Sequence, residues 1–248
     1  MPFFSNKQWQ FTYFSQQVGE ASWSGKNVLD FGGNIGNILR DPNSTIDEER
    51  YWCLDVARES IERGRTSFPK AHWIFYNRYC FFFNPRGVPH LPIPELNRRF
   101  DYIVAFSVFT NTPRTDMLEL VDQLEDRLSM DGVLAFTFIE PNYFSWPMHY
   151  HGNNFQWRLE QEVERGDLSL AESLVLLKSV HRARWFMLVN GNDLYVETEE
   201  MRPIEPERQK SCYVFYSENY MKMLFPHATI LPPVKDEMQH CCVIRRKP

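Results

Sequence analysis

Short runs of consecutive apolar residues recur along the first 140 residues and are separated by longer, more polar stretches. Runs of this length predict buried strands, and they occur as NVLDF (27–31), ERYWCLD (49–55), AHWIFYN (71–77), FDYIVAFSVF (100–109) and GVLAFTFIE (132–140). Most of these strands are followed by a helical pattern or by a stretch of helix length. The alternation predicts an α/β fold with a doubly wound, mostly parallel sheet.

Apolar residues at three- and four-residue spacings predict the helices between these strands. The predicted helices are an amphipathic helix within 5–21, a short one from near Asn37 to just before Asp41-Pro42, one over 57–68, and one over 117–130 that ends at Asp131-Gly132. The stretch 86–100 holds three prolines and is predicted to form no regular element.

The alternation breaks between residues 141 and 210. Two helices are predicted here, over 154–165 and 168–181. The stretch that follows, 184–197, has the pattern of a β-hairpin around an Asn-Gly turn.

The α/β rhythm returns near Cys212, with a helix predicted over 217–225 and strands over 228–233 and 240–246. The link between these last strands is too short for a parallel crossover, so the final strand is predicted to be antiparallel. The expected architecture is a seven-stranded sheet. Residues 1–140 (with 1–24 as an N-terminal helical segment) and 211–248 form one ligand-binding domain, and 141–210 form an inserted α+β lid.

Composition and charge narrow the classes of function. The 248 residues carry a net charge of −5 with no basic stripe, which argues against nucleic acid as a partner. The five cysteines include no Cys-x-x-Cys pair, which predicts neither a disulfide framework nor a zinc site and favours a reducing cytoplasm. We expect no signal peptide, no membrane span and no metal site.

A glycine-rich turn follows the first predicted strand, in the sequence VLDFGGNIGN (28–37). Such a turn lets a ligand approach the backbone and directs main-chain N–H groups at negative charge. Asp55 ends the second strand, 25 residues after Asp30, close to the spacing at which an acid accepts hydrogen bonds from ribose hydroxyls. The pattern therefore predicts a ligand that contains a nucleoside.

The residues of the turn distinguish between two nucleoside ligands. A dinucleotide fingerprint would require glycine where Phe31 stands, so an NAD-dependent oxidoreductase is the weaker alternative. An aspartate at the mouth of the turn suits a cation, such as the ammonium group of S-adenosylmethionine, while the turn receives its carboxylate. Asn34 occupies a position where a left-handed backbone is expected, and Asn tolerates that conformation.

With these residues the chain resembles the class I S-adenosylmethionine-dependent methyltransferases, whose first motif is an acid followed by Gly-x-Gly-x-Gly. The motif reads DFGGNIG here, with Asn34 in place of the middle glycine. Four further stretches follow in the order found in the family: WCLDVARESIERGR, Asn77-Arg78-Tyr79, FDYIVAFSVFTNT and MDGVLAFTF. The resemblance covers roughly 25–140 and 211–248. The stretches 76–87 and 107–112 look like variants found in microbial small-molecule or peptide-tailoring methyltransferases.

The resemblance implies S-adenosylmethionine as the cofactor. The residues expected to contact it are Asp30, Gly32, Gly33, Asn34, Gly36, Asn37, Asp55, Val56, Asn77, Arg78, Tyr79, Phe106, Ser107 and Val108. The implied activity is methyl transfer to a small molecule or short peptide of apolar or aromatic character, at oxygen. A repurposed fold that binds S-adenosylmethionine without methyl transfer is the other alternative.

Candidates for the acceptor side lie after the fourth and fifth strands. His149 and His151 are the histidines nearest the end of the fifth strand and could act as a general base. Asn111, Tyr143 and Trp146 are expected to bind the substrate. The sequence leaves open the acceptor molecule, the need for a base and the oligomeric state.

Overall fold

The computed structural model describes residues 9–140, 166, 185–189, 193–196, 212–234 and 239–246. The helices of these residues are α1 (Gln10–Val18), α2 (Arg58–Ser67), α3 (Arg114–Glu125) and α4 (Glu218–Leu224), with a 3-10 turn at Glu48–Arg50. The strands are β1 (Val28–Phe31), β2 (Tyr51–Asp55), β3 (His72–Phe75), β4 (Phe100–Ala105), β5 (Leu128–Ile139), β6 (Trp185–Val189), β7 (Asp193–Val196), β8 (Cys212–Tyr216), β9 (Thr229–Leu231) and β10 (Gln239–Arg245).

The ten strands of the described residues form one open, mixed sheet, which is three strands more than the seven expected. Its first half runs β3-β2-β1-β4-β5 with every pair parallel, and β10 then pairs antiparallel with both β5 and β9. The predicted parallel core and the antiparallel C-terminal strand are therefore confirmed. Because parallel strands end on the same side, the glycine turn, Asp55 and the loop after β4 meet at one edge of the sheet, called here the carboxyl edge.

Helices cover both faces of the sheet, as expected for a doubly wound fold. One apolar cluster includes Met117 and Leu120 of α3 and Tyr220 of α4; the other includes Phe11 of α1 and Ile61 of α2. Adjacent cysteines at the C-terminus divide between the two faces, since Cys242 belongs to the first cluster and Cys241 to the second.

The hairpin predicted in the insertion extends the same sheet. Strands β6 and β7 pair antiparallel, and β6 pairs antiparallel with β8. β8 joins β5 in parallel at one position, Ile139 opposite Phe215, beyond the last β4–β5 pair at Ala105 and Phe136. The hairpin is therefore tied to the sheet at the carboxyl edge.

The prediction of a helix after the glycine turn is wrong. Residues 34–40 form successive turns instead. Gly36 has a φ of +80°, outside the right-handed helical region, and only four residues separate it from the Asp41-Pro42 stop. The Asp41 carboxylate accepts the backbone N–H of Thr12 at 2.7 Å, which holds this segment against α1.

Three element boundaries also differ from the expectation. The predicted helix over 117–130 ends at Glu125, and β5 already begins at Leu128, so Asp131-Gly132 lies inside a strand instead of ending a helix. The β4–β5 register shifts there, between Phe100 and Tyr102. β4 stops at Ala105 instead of residue 109, because Ser107 has a left-handed φ of +56°.

The two helices predicted over 154–165 and 168–181 lie outside the described residues. Among the residues that the structure describes, none belongs to a helix long and apolar enough to cross a membrane.

Candidate functional site

The turn after β1 adopts the left-handed backbone that its sequence predicts. Gly32, Asn34 and Gly36 have φ values of +76°, +54° and +80°. The expectation that Asn34 would take this conformation in place of glycine is confirmed. The Asn34 side chain also accepts a hydrogen bond from Ser60 Oγ of α2 at 2.8 Å, which fixes the turn against that helix.

Two glycines of the turn are needed because neighbouring side chains approach the backbone closely. A methyl group on Gly32 would lie 2.4 Å from Cγ2 of Val108 in the loop after β4. A methyl group on Gly33 would lie 2.5 Å from the Asp30 carboxyl carbon and 2.9 Å from the Tyr51 hydroxyl. The turn is therefore packed between the end of β4 and the Asp30 carboxyl group.

Asp30 lies beneath the turn and is 2 % exposed. The Tyr51 hydroxyl donates to its carboxylate at 2.7 Å. Burial raises the pKa of Asp30 to about 7; the Tyr51 hydrogen bond lowers it and the nearby charge of Asp55 raises it further. A positively charged ligand group near Asp30 would favour the ionised form of the carboxyl group.

Asp55 faces the glycine turn from the end of β2. One carboxylate oxygen accepts the N–H of Asn34 at 2.8 Å, and the other accepts the N–H of Ala57, before α2, at 2.7 Å. Burial raises the pKa of Asp55, and these backbone hydrogen bonds oppose the shift. The carboxylate thus braces the turn and the start of α2, and each of its oxygens has a second lone pair for a ligand.

The residues after β3 divide between the surface and the interior. Asn77 is exposed, and its side-chain oxygen accepts a hydrogen bond from the side chain of Asn84. Tyr79 is half-buried, and its backbone N–H donates to the carbonyl of Val88. Arg78 is 3 % exposed, and its guanidinium forms two hydrogen bonds with Glu119 of α3, at 3.0 and 3.1 Å. It therefore links α3 to this loop.

Two further partners hold the Arg78 guanidinium. It donates to the carbonyl of Leu91 at 2.8 Å and lies 3.3 Å from Asp116. His90 lies beside the same two carboxylates, so the His90, Asp116 and Glu119 side chains could ligate a cation by distance alone. Their carboxylates already neutralise the guanidinium, which makes the group an ion-pair network.

The loop after β4 places its predicted residues in different surroundings. Phe106 is buried against the rings of Trp9, Tyr13 and Phe14. Val108 lies on the glycine turn, and the N–H of Asn111 donates to the Val108 carbonyl at 3.1 Å.

The remaining predicted cofactor residues flank the turn. Asn37 is buried within the turns that follow Gly36, and Val56 packs against the apolar cluster on the α3 side. Four predicted acceptor-side residues, Tyr143, Trp146, His149 and His151, lie outside the described residues.

Three residues that shape the site were not predicted from the sequence: Tyr51, Cys53 and Ser60. The β1–β2 register places Cys53 opposite Asp30, and Tyr51 lies two residues earlier on the same side of its strand. That alternation was a usable signal for Tyr51 and Cys53. Ser60 reaches Asn34 across 26 residues of chain, and no local pattern predicts that contact.

The chemistry of these residues fits a nucleoside that carries a positive charge. The carboxylates of Asp30 and Asp55 lie at neighbouring strand ends, and burial raises the pKa of both. A cation would offset the free-energy cost of ionising these buried carboxyl groups. The Asp55 oxygens can accept hydrogen bonds from ribose hydroxyls. A pyrophosphate, by contrast, would bring further negative charge to two buried carboxyl groups.

The family comparison agrees with this geometry. Residues 29–134 match a family model described as a methyltransferase domain. The match begins in β1 and ends within β5, so it includes the glycine turn, Asp55 and the loop after β4. No curated protein matches the sequence.

Solved structures share the fold over nearly the whole chain. A S-adenosylmethionine-dependent methyltransferase from Clostridium acetobutylicum ATCC 824 has a TM-score of 0.53 and 12 % identity, covering 99 % of this chain and 94 % of that one. The glycopeptide N-methyltransferase MtfA complexed with S-adenosyl-L-homocysteine has a TM-score of 0.53 and 10 % identity, covering 100 % and 92 %. At these identities the likeness establishes the fold.

The sheet order and the glycine turn with its two acids are those of the class I S-adenosylmethionine-dependent methyltransferase fold. The match over residues 29–134 indicates a methyltransferase domain, and the glycine turn with its two acids suits S-adenosylmethionine as the cofactor.

Proposed function

We propose that this enzyme transfers the methyl group of S-adenosylmethionine to an oxygen of a small molecule or short peptide with apolar or aromatic character. The observation that carries the proposal is the attachment of β8 beside the site. The N–H of Val214 in β8 donates to the carbonyl of Thr110, in the loop after β4, at 2.8 Å. The insertion thus returns to the sheet directly beside the loop that this proposal assigns to cofactor and acceptor.

We assign residues 141–210 as a lid over the acceptor, inserted into a cofactor-binding domain formed by 1–140 and 211–248. A lid that is rich in aromatic residues would exclude water and hold a ring or an apolar group in line with the methyl donor. A net charge of −5 without a basic stripe in the sequence supports a small acceptor rather than a nucleic acid.

The cofactor supplies a methyl group on a positively charged sulfur, and the protein positions and dehydrates the reactants. In this proposal Asp55 binds the ribose hydroxyls, the turn from Gly32 to Gly36 receives the carboxylate, and Asp30 favours the ammonium group. Asn111, Tyr143 and Trp146 hold the acceptor. His149 or His151 removes the proton from an acceptor hydroxyl.

The activity of one structural relative supports the substrate class without deciding the acceptor atom. MtfA is a glycopeptide N-methyltransferase, so a fold of this kind can act on a tailored peptide. We therefore place the enzyme in microbial small-molecule or peptide tailoring. Four cysteines are free thiols, which supports a reducing cytoplasm as its location: Cys53, Cys80, Cys241 and Cys242.

A panel of acceptors tests the proposal. The enzyme is incubated with S-adenosylmethionine that carries a labelled methyl group and with phenols, aliphatic alcohols, carboxylic acids, amines and short aromatic peptides. We expect label in a hydroxylated aromatic product, with much less in amines of matched size. Labelled amines alone would overturn the oxygen assignment, and cofactor binding without any labelled product would favour a module that does not transfer methyl groups.

Replacing Asp55 tests the ribose contact. Asp55→Ala is expected to weaken S-adenosylhomocysteine binding about tenfold or more, because two charge-assisted hydrogen bonds to the ribose are lost. Titration calorimetry measures this.

The matched control for Asp55 is Asp101→Ala. Asp101 also accepts a backbone N–H, that of Asn27 at 2.8 Å, but it lies at the amino end of β4, on the opposite edge of the sheet. Both variants lose a carboxylate that braces the backbone, and only Asp55→Ala should lose affinity. Equal affinities for the two variants would remove Asp55 from the cofactor site.

A further inference from the structure

Three side chains from neighbouring strands close a ring of hydrogen bonds at the carboxyl edge. The N–H of Ser107 donates to Thr137 Oγ1 at 2.8 Å, and the Thr137 hydroxyl donates to Gln239 Oε1 at 2.5 Å. The Gln239 amide then donates from Nε2 to Ser107 Oγ at 2.6 Å. The ring joins the loop after β4, the end of β5 and the start of β10.

The ring lies in the interior. Thr137 has no exposed surface and Gln239 is 4 % exposed. The backbone carbonyl of Gln239 also accepts a hydrogen bond from the hydroxyl of Tyr13, in α1, at 3.0 Å. A buried amide costs free energy unless its polar atoms are paired. Since apolar residues could fill this space without that cost, the ring calls for an explanation beyond packing.

Both polar backbone atoms of Ser107 are fixed by hydrogen bonds. Its N–H is held by Thr137, and its carbonyl accepts Thr110 Oγ1 at 3.0 Å. These bonds stabilise its left-handed φ of +56°, which costs a residue with a side chain about 1–2 kcal/mol. They also place the next residue, Val108, against Gly32 of the cofactor turn. Ser107 is therefore fixed next to the residue that packs on the glycine turn.

The ring also restricts the direction of the Ser107 hydroxyl hydrogen. Because Ser107 Oγ accepts from Gln239, its own hydrogen must be directed at a different acceptor. An orientation of this kind converts a freely rotating hydroxyl into a directed donor. The carboxylate of the cofactor is the anionic acceptor expected beside the glycine turn.

We propose that Gln239 is a positioning residue for the cofactor: through its hydrogen bond to Ser107 Oγ it directs the Ser107 hydroxyl as a donor to the carboxylate of S-adenosylmethionine. The proposal rests on the function proposed above, which places that carboxylate at the turn. Gln239 itself does not contact the cofactor.

A double-mutant cycle tests the proposal, with S-adenosylhomocysteine as the probe and calorimetry as the measurement. Gln239→Met keeps a side chain of similar size and removes the donor to Ser107. It is expected to weaken binding about three- to tenfold, the usual effect of losing one hydrogen bond. Ser107→Ala is expected to weaken binding to a similar extent. The double variant should bind no more weakly than Ser107→Ala alone.

The matched control is Gln17→Met. Gln17 is another buried glutamine, 8 % exposed, whose Nε2 donates to the carbonyl of Pro232 at 2.9 Å, away from the loop after β4. Both glutamine variants should lower the melting temperature, and only Gln239→Met should lower the affinity. Thermal unfolding of each variant confirms that it is folded at the temperature of the titration.

Each alternative outcome is distinct. Unchanged affinity in Gln239→Met, or losses that multiply in the double variant, would overturn the positioning role while leaving the methyltransferase site intact. A wild-type protein that does not bind S-adenosylhomocysteine would instead overturn the cofactor site itself.

Discussion

Arg78→Met is expected to lower the free energy of unfolding by about 3 kcal/mol. Removing one member of a buried ion pair costs about 3 to 5 kcal/mol. We expect the lower end of this range, because the partners Asp116 and Glu119 have side chains 22 % and 34 % exposed and can be partly rehydrated. The substitution also removes the hydrogen bond to the Leu91 carbonyl, which holds the proline-rich loop. Urea denaturation measures the change.

The matched control for Arg78 is Arg63→Met. Arg63 pairs with Glu59 at 3.9 Å on the exposed face of α2, and such a pair contributes at most about 1 kcal/mol. Similar losses in the two variants would mean that the Arg78 network contributes no more than a surface pair.

The same Arg78 variant also tests the cofactor contact predicted from the sequence. Well below its melting temperature, Arg78→Met should bind S-adenosylhomocysteine with wild-type affinity, because Glu119, Asp116 and Leu91 occupy its guanidinium. A strong loss of affinity in the folded variant would instead support the contact between Arg78 and the cofactor that the sequence predicts.

Asp30→Asn is expected to stabilise the protein at pH 8 and to have much less effect at pH 4. Burial raises the pKa of Asp30 from 3.8 to about 7. Between these two values the folded state retains a proton that the unfolded state has lost, so the stability of the wild-type protein falls as the pH rises. Above pH 7 the loss of stability caused by the ionised Asp30 is constant. It amounts to about 4 kcal/mol, because each pKa unit corresponds to about 1.4 kcal/mol.

The measurement compares urea denaturation of wild type and Asp30→Asn at several pH values. The stability difference should move in favour of the variant by about 3 to 4 kcal/mol between pH 4 and pH 8, because the amide carries no charge. Asp101→Asn removes a carboxylate at the opposite edge of the sheet and is measured alongside. A difference that is independent of pH would contradict the raised pKa of Asp30.

The cost of the ionised Asp30 is consistent with a ligand-binding role. Active sites often retain groups that destabilise the free protein. The ammonium group of the cofactor would stabilise the carboxylate, so Asp30→Asn should bind S-adenosylhomocysteine more weakly although it unfolds less readily. Opposite changes in stability and affinity from one substitution would distinguish this role from simple packing under the turn.

The sequence by itself determined the elements whose signals are local. Runs of apolar residues gave the five parallel strands, and the short link before the last strand gave its antiparallel direction. Asn34 was correctly expected to adopt a left-handed backbone, because that preference belongs to the residue and its turn. The glycine turn and the acid at the end of β2 were enough to indicate the cofactor.

Only the tertiary structure decided what the side chains of the site contact. Gln239 reaches Ser107 across 132 residues, and Arg78 reaches Glu119 across 41. Likewise, the Asp41 carboxylate ties the turns after Gly36 to Thr12 of α1, across 29 residues. Strand formation depends on patterns of a few residues, whereas these contacts depend on which distant segments pack together. A single sequence therefore specifies the strands and the turn locally, and the partners of Arg78, Ser107 and Asp30 follow only from the packing of the folded chain.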